Sequence, residues 1–163
     1  MNGRRLARTV IILGALLAAM VPAGAHTSAQ NDPNDTSGNG DISRMEYSHA
    51  NGRTRLSATL YQQVGRSKFL SGFVNFGLNT GPGEDFESTV YMEGRRRNGR
   101  TRLYCFIYVG LSRVARVPAR LNGRKIECDF PSDLVGGVAS QWGGGSYFGG
   151  QSDVVPNNGA VKH

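Results

Sequence analysis

Apolar and polar residues alternate along most of the chain after residue 41, in short runs separated by glycine, asparagine, proline and aspartate. A period of two places successive side chains on opposite faces of a β-strand. None of these runs shows the sustained apolar spacing of an amphipathic helix. The pattern predicts one antiparallel β-sandwich over residues 41–163, of the jelly-roll or immunoglobulin-like type.

The clearest predicted strand is KIECDF, residues 125–130, in which Ile126, Cys128 and Phe130 share one face and charged residues occupy the other. The run LYCFIYV, residues 103–109, is apolar on both faces, which suits a central, covered strand. The remaining predicted strands are residues 42–47, 55–62, 69–78, 86–93, 114–121 and 138–142.

Alternation assigns Leu70, Phe86 and Val109 to the core faces of their strands. Pro118 lies within residues 114–121. Because proline has no N–H group to donate to a neighbouring strand, it predicts an edge strand here.

The hexapeptide NGRTRL occurs twice, at residues 51–56 and 98–103, and a third Asn-Gly-Arg occupies residues 122–124. Asn-Gly favours a type I′ hairpin turn because both central residues of that turn need positive φ. Each copy precedes a predicted strand, so we interpret all three as turns. An internal duplication and a cell-attachment tripeptide are the alternatives.

Residues 1–25 have the order of a secretory signal peptide: a basic start, an apolar run at residues 10–21 that is too short to span a bilayer, and small residues. We expect cleavage after Ala25, with Ala29 as the second choice, and a secreted, extracellular product with no membrane span. An uncleaved anchor is the alternative. Removal of three arginines and no acids lowers the formal charge from +7 to +4.

Two cysteines, Cys105 and Cys128, fall on the predicted core faces of their strands. An even pair in an exported chain predicts a disulfide. Its closure is worth roughly 3 kcal/mol in the chain-entropy model. Two separate buried thiols are the alternative. Residues 26–40 contain almost nothing to bury, so they are predicted to form a flexible polar spacer.

Catalytic and metal-binding motifs are absent from the sequence. The histidines His26, His49 and His163 have no partner at metal-ligand spacing, and no hydrolase elbow or phosphate-binding glycine loop occurs. We therefore expect a non-enzymatic protein without a cofactor or metal, in which His49 is the one plausible catalytic base. The acidic loop at residues 79–87, NTGPGEDFE, offers oxygen ligands for calcium through Glu84 and its neighbours, but a polar hairpin loop is the simpler interpretation.

The segment RRRNGRTR, residues 95–102, concentrates five arginines near one hairpin tip. Such a tip can bind an anionic polymer, and a solvated turn is the alternative. Nucleic acid is not expected, because the protein is predicted to be exported and the loop has no aromatic residue for base stacking. The candidate residues are Arg95, Arg96, Arg97, Arg100 and Arg102.

Several aromatic residues face away from the predicted core: Tyr61, Phe73, Tyr104, Phe106 and Tyr108. Such a row can form a platform for sugar rings or the second face of a covered sheet. Trp142 and Tyr147 lie in the glycine-rich stretch QWGGGSYFGG, which we expect to be flexible. Its aromatic rings can pack on the domain or contact a ligand. Tyr61, Tyr108 and Trp142 are the candidate aromatic contacts.

The C-terminal part, with DFPSDLVGG at residues 129–137, Gln-Trp at 141–142 and SDVVPNNGAVKH at 152–163, resembles small secreted bacterial β-sandwich proteins of mostly unknown function. These proteins look like jelly-roll or carbohydrate-binding-module domains. The resemblance implies the fold and export, but no activity.

Together these patterns predict a secreted non-catalytic module that binds a glycan or an anionic polymer of the cell envelope. A structural or protein-interaction domain, such as an accessory domain or an inhibitor, is the alternative.

Overall fold

Two antiparallel β-sheets pack face to face in the computed structural model, which describes residues 25–83, 85–157 and 159–163. The predicted all-β class is confirmed. The predicted signal peptide falls, except for Ala25, outside the described residues. Within the described part of the chain, no helix has the length and apolar character needed to cross a membrane.

The two sheets are named A and B. Sheet A has the spatial order β1 (His26–Asn31), β2 (Ile42–Ala50), β3 (Arg53–Leu60), β9 (Lys125–Pro131), β8 (Arg120–Asn122). Sheet B has the order β11 (Gln151–Val155), β10 (Gln141–Phe148), β4 (Phe73–Asn79), β5 (Ser88–Arg97), β6 (Arg100–Val109), β7 (Ser112–Pro118), and β12 (Val161–Lys162) pairs with β10. Short 3-10 helices occur at Arg66–Leu70 and Ser132–Val135.

The core lies between the sheets and is built from alternate residues of the facing strands. On β9, Ile126, Cys128 and Phe130 are buried, as alternation predicts. Apolar residues from β2, β3, β4, β5, β6 and β10 complete the same cluster. Its largest fully buried side chains are Trp142, Tyr47, Phe69, Phe76, Phe130, Ile42, Met45, Leu56, Leu60, Leu78, Met92 and Ile107.

The disulfide joins the two sheets. Cys105 lies on β6 of sheet B and Cys128 on β9 of sheet A, and their sulfur atoms are bonded across the core with a Cα–Cα distance of 6.4 Å. This distance is within the usual range for a disulfide. The predicted pairing is confirmed.

The Asn-Gly turns use two geometries. Asn51 and Asn98 have φ of 51°, and the glycines that follow them have φ of 70° and 73°, as expected when Asn-Gly occupies both central positions of a type I′ turn. At the third copy, Asn122 pairs with Lys125, so Gly123 takes the first central position, with φ of 59°. The turn interpretation holds for all three copies, but the third turn is shifted by one residue.

The segment predicted to be a flexible spacer is structured. His26–Asn31 forms β1, which pairs with β2 along its whole length, and the following loop returns to β2 through a hydrogen bond from the Asp32 N–H group to the Ser43 carbonyl oxygen (3.1 Å). Polar residues are tolerated because β1 is the edge of sheet A and its side chains stay partly exposed. The polar composition therefore marks an edge strand and a loop.

Three residues assigned to the core by alternation are exposed. Leu70 belongs to the 3-10 helix that precedes β4, so the alternation of buried and exposed residues along the strand does not apply to it. Phe86 precedes β5, and its ring lies over Gly77, on the other side of the sheet from the core. Val109 is the last residue of β6, directly before the turn to β7, and is exposed there.

Two further segments differ from the prediction. Residues 114–121 do not form one strand: β7 ends at Pro118 as the edge of sheet B, and the chain then crosses to sheet A as β8. The glycine-rich stretch expected to be flexible forms β10, an internal strand between β4 and β11. Its glycines permit close packing, since a Cβ at Gly144 would clash with the Asn75 carbonyl oxygen and the Met45 side chain.

Candidate functional site

The outer face of sheet B carries a continuous set of aromatic rings. The register pairs Tyr91 on β5 with Phe106 on β6, and both face away from the core. Phe106 is nevertheless only 2% exposed, and the Arg95 and Arg113 side chains lie over its ring. Ring centroids are 5.3 Å apart between Phe73 and Tyr91, and 5.8 Å between Tyr91 and Tyr108. The set consists of Phe73, Tyr91, Tyr104, Phe106, Tyr108 and Tyr147.

Arginine side chains extend this aromatic set toward β7 and the β5–β6 hairpin. The Arg95 and Arg113 guanidinium carbons lie 5.2 Å and 5.6 Å from the Phe106 ring centroid, and that of Arg116 lies 4.9 Å from the Tyr104 ring centroid. Alternation along the hairpin puts further arginines on the same face. We call the six aromatic rings and these arginines the basic-aromatic face; the arginines are Arg95, Arg97, Arg100, Arg102, Arg113 and Arg116.

The charge on this face is strongly unbalanced. Strands β5, β6 and β7 contain seven arginines and one carboxylate, that of Glu93. Glu93 pairs with Arg95 across 3.1 Å. The seventh arginine, Arg96, pairs with Thr101 and alternates onto the opposite side of the hairpin. The basic-aromatic face is therefore positive.

A groove of about 490 Å³ crosses the aromatic end of this face, over β4, β10 and β11. Gly77 and Gly143 present no side chain there, so the Phe86 ring lies directly against the sheet. Rings of Phe73, Tyr91, Phe86 and Tyr147 line it, and Tyr147 is 40% exposed. The groove therefore offers aromatic rings to an extended ligand.

The outer face of sheet A is also charged, but its charges are paired with one another. Glu46 contacts Arg44 (2.9 Å) and Lys125 (3.1 Å), and Asp129 pairs with Arg53 and Arg55. Burial alone would raise the pKa of Glu46, but hydrogen bonds from Arg44, Lys125 and Ser57 outweigh it and hold that pKa at about 2. Two carboxylates thus pair with four basic side chains on this face, whereas the basic-aromatic face has one such carboxylate.

We expect Glu46→Gln to destabilise the protein near neutral pH, by roughly 1–2 kcal/mol after solvent screening. A carboxylate whose folded-state pKa is about 2, below its usual 4.5, contributes stability above pH 4.5 and loses it as the pH falls through 2. The difference in melting temperature between wild type and variant should therefore shrink across that window, as followed by circular dichroism. A difference that is constant from pH 7 to pH 2 would contradict this role of Glu46.

Not all predicted contact residues lie on the basic-aromatic face. Tyr108 and four of the five loop arginines do, whereas Arg96 does not. Tyr61 follows β3 of sheet A and donates a hydrogen bond to the Asp32 carbonyl oxygen (2.8 Å). Trp142 is fully buried, and its indole N–H group donates to Ser28 Oγ (2.7 Å), so it cannot contact a surface ligand.

Sequence analysis missed several members of the face. Arg113 and Arg116 are three residues apart, so a strict period of two assigns them to opposite faces. A β-bulge in the β6–β7 pairing places both on the outer face. Tyr91 falls on the outward phase of its strand but was not singled out, and Tyr147 was named only as a ring of the glycine-rich stretch. The sheet order brings both beside Phe73.

The three histidines, which have no mutual spacing in the sequence, converge in the fold. His26 pairs with His49, and the rings of His26 and His163 are 5.7 Å apart. Burial, and then the neighbouring charges of His26 and His49, lower the pKa of His163. His163 Nδ1 is 3.0 Å from Ser28 Oγ, which places the ring against β1 and Tyr47. No carboxylate joins them within the described residues to form a catalytic or metal-binding set.

The acidic loop at residues 79–87 uses its polar groups internally. The Thr80 N–H group donates to Glu87 Oε2 (2.9 Å), and the Gly81 N–H group donates to Asn79 Oδ1 (3.2 Å). The first of these hydrogen bonds is the main cause that lowers the pKa of Glu87. Glu84 lies outside the described residues. The arrangement is that of a closed polar turn.

A different set of carboxylates lies at the opposite side of β10 from the groove. One carboxylate oxygen from each of Asp32, Asp35, Asp41 and Asp153 lies within 4.8 Å of the others. We call these four residues the aspartate cluster. Burial, followed by the charges of the other three aspartates, raises the pKa of Asp32 to about 6, and burial likewise raises the pKa of Asp41.

No protein-family model matches this chain, and comparisons with curated proteins and with solved structures found no match. The resemblance of the C-terminal segment to small secreted bacterial β-sandwich proteins therefore stays a prediction.

Proposed function

We propose that this protein is a secreted, non-catalytic module that binds an acidic polysaccharide of a cell envelope through the basic-aromatic face. The observation that carries the proposal is the adjacency, on one sheet face, of an open, aromatic-lined groove and a row of six arginines that has one carboxylate, that of Glu93, beside it. Aromatic rings offer flat apolar surface to the C–H face of a sugar ring, and guanidinium groups bind carboxylate or sulfate oxygens in bidentate geometry.

The arginine side chains are held in a geometry suited to this role. Arg113 and Arg116 rest on the Phe106 and Tyr104 rings, which limits the conformational freedom that binding would have to remove. Their N–H groups remain available at the edge of each guanidinium group. Because these arginines lie on strands, their charges repeat at regular spacing, as the charges along an acidic polysaccharide do.

Export is part of the proposal, and β1 bears on where the signal peptide would be cleaved. Cleavage after Ala25 would leave β1 whole, whereas cleavage after Ala29 would remove Ser28, which accepts the hydrogen bond from the buried Trp142 indole. A disulfide also suits a protein outside the reducing cytosol. We therefore favour cleavage after Ala25.

The test is binding of the purified protein to polygalacturonate, dextran sulfate and neutral dextran, measured by affinity electrophoresis at low and high salt. We expect binding to polygalacturonate that weakens as salt rises. Arg102→Ser should reduce its affinity about threefold to tenfold, and Tyr147→Ala should reduce it to a similar degree. Arg96→Ser is the matched control, because it removes the same charge from the opposite side of the same hairpin.

Three outcomes would contradict the proposal. Equal losses for Arg96→Ser and Arg102→Ser would mean that only net charge matters. Binding that is confined to dextran sulfate and is insensitive to Tyr147→Ala would indicate a polyanion contact without glycan recognition. A lack of binding to every polysaccharide would favour the protein-interaction alternative.

A further inference from the structure

We propose that the aspartate cluster is a calcium-binding site that ties the β1–β2 loop to β11 and so links the two sheets at this end of the molecule. The inference is independent of the proposed function.

The first argument is the convergence of four carboxylates. Their nearest oxygens all lie within 4.8 Å of one another, and three of the four residues are buried: Asp32 is 5%, Asp41 2% and Asp153 4% exposed. Uncompensated negative charges at this separation in a partly dry site repel one another strongly. No ion pair among the described residues includes any of the four.

The second argument is independent of the first. Asp32 Oδ2 and Asp41 Oδ1 are buried side-chain atoms without a hydrogen-bond partner among the described residues. Buried polar atoms are nearly always satisfied by protein, water or an ion, and an unpaired carboxylate oxygen is among the costliest exceptions. A bound cation would satisfy both oxygens at once.

Other contacts hold the remaining carboxylates and the loop in place. The Ile42 N–H group donates to Asp153 Oδ2 (2.7 Å), and Asn157 Nδ2 donates to Asp35 Oδ2 (3.2 Å). Ser146 Oγ, on β10, donates to the Gly40 carbonyl oxygen. The β1–β2 loop is thereby fixed against sheet B without any contact that neutralises its charge.

The ligand chemistry favours calcium over other common cations. All four donors are hard oxygens, with no histidine or cysteine among them, which excludes a typical zinc site. Oxygens on opposite sides of a Ca²⁺ ion are about 4.6–5.2 Å apart, against about 4.0–4.2 Å for Mg²⁺. Separations of at most 4.8 Å allow all four oxygens to reach one Ca²⁺ ion, whereas Mg²⁺ usually takes only one or two carboxylates and keeps several waters.

The test starts with calorimetric titration of EDTA-treated protein with CaCl₂, and separately with MgCl₂. We expect one Ca²⁺ per chain, bound more tightly than Mg²⁺. Thermal unfolding should show a rise in melting temperature of about 8 °C at a hundredfold excess of Ca²⁺ over its dissociation constant.

Asp41→Asn keeps the shape of the side chain and removes one charge. It should weaken Ca²⁺ binding about tenfold or more. In EDTA it should melt higher than wild type, because one repelling charge has gone, whereas in excess Ca²⁺ it should melt lower. Asp85→Asn, in the other acidic loop, is the matched control and should bind Ca²⁺ as wild type does.

The proposal fails if wild type shows neither heat of binding nor a change in melting temperature with Ca²⁺, and this result does not depend on how any variant folds. It also fails if Mg²⁺ binds more tightly, or if Asp85→Asn abolishes Ca²⁺ binding while Asp41→Asn does not.

Discussion

Replacement of both cysteines by alanine, Cys105→Ala with Cys128→Ala, should lower the free energy of unfolding by about 3 kcal/mol and the melting temperature by about 10 °C. The two residues are 23 apart in sequence, and the bond restricts the unfolded chain by closing that loop. It is also a covalent cross-link between the sheets, in addition to packed side chains and hydrogen bonds such as that from Trp142 to Ser28. Denaturant and thermal unfolding by circular dichroism measure the effect.

Alanine suits both positions because each side chain is buried, and serine would place an unpaired hydroxyl group in the core. Addition of a reductant supplies the control. It should destabilise wild type by a similar amount and leave the double variant unchanged. Two thiols that react in the native, unreduced protein would show that the bridge does not form.

Strand β9 and the β1–β2 loop show where sequence alone succeeds and fails. In β9, every second residue is apolar and every such residue is buried, because a half-buried strand has only two faces on which to place its side chains. The same local rule located both cysteines. It required no knowledge of which strands are neighbours.

The β1–β2 loop shows the opposite situation. Its aspartates, glycines and asparagines read locally as a polar spacer, but Asp32 and Asp41 are buried. Asp153 joins them although it lies 111 residues beyond Ile42, whose N–H group donates to it, because β11 and β2 meet across the sandwich. The three loop aspartates interspersed with glycines were the available signal, and a strand partner far along the chain decided their environment.

The candidate groove was only partly predictable, because alternation is local and strand pairing is not. The outward phase of Phe73 and Tyr108 followed from alternation. The groove itself depends on Gly77 on β4 and Gly143 on β10, which are direct neighbours and leave room for the Phe86 ring against the sheet. Pairing between β4 and β10 cannot be read from residues more than 60 positions apart.

Trp142 and Tyr147 lie on the same strand, β10, and we expect their replacement by alanine to have opposite consequences. Trp142→Ala should lower the free energy of unfolding by about 3–5 kcal/mol, because the ring is fully buried beside Phe76 and truncation leaves a large cavity. It also removes the donor to Ser28 that fastens β1. Tyr147→Ala should cost about 1 kcal/mol at most, since that ring is 40% exposed.

Binding to polygalacturonate should show the reverse order. Trp142→Phe, which retains most of the buried volume and folds more stably than Trp142→Ala, should bind as wild type does, because the indole is on the core side of β10. Tyr147→Ala should stay folded and bind several-fold more weakly. If Trp142→Phe lost binding while its melting temperature and circular dichroism stayed close to those of wild type, the assignment of Trp142 to the core alone would be wrong, and with it the division of β10 into a structural face and a ligand-binding face.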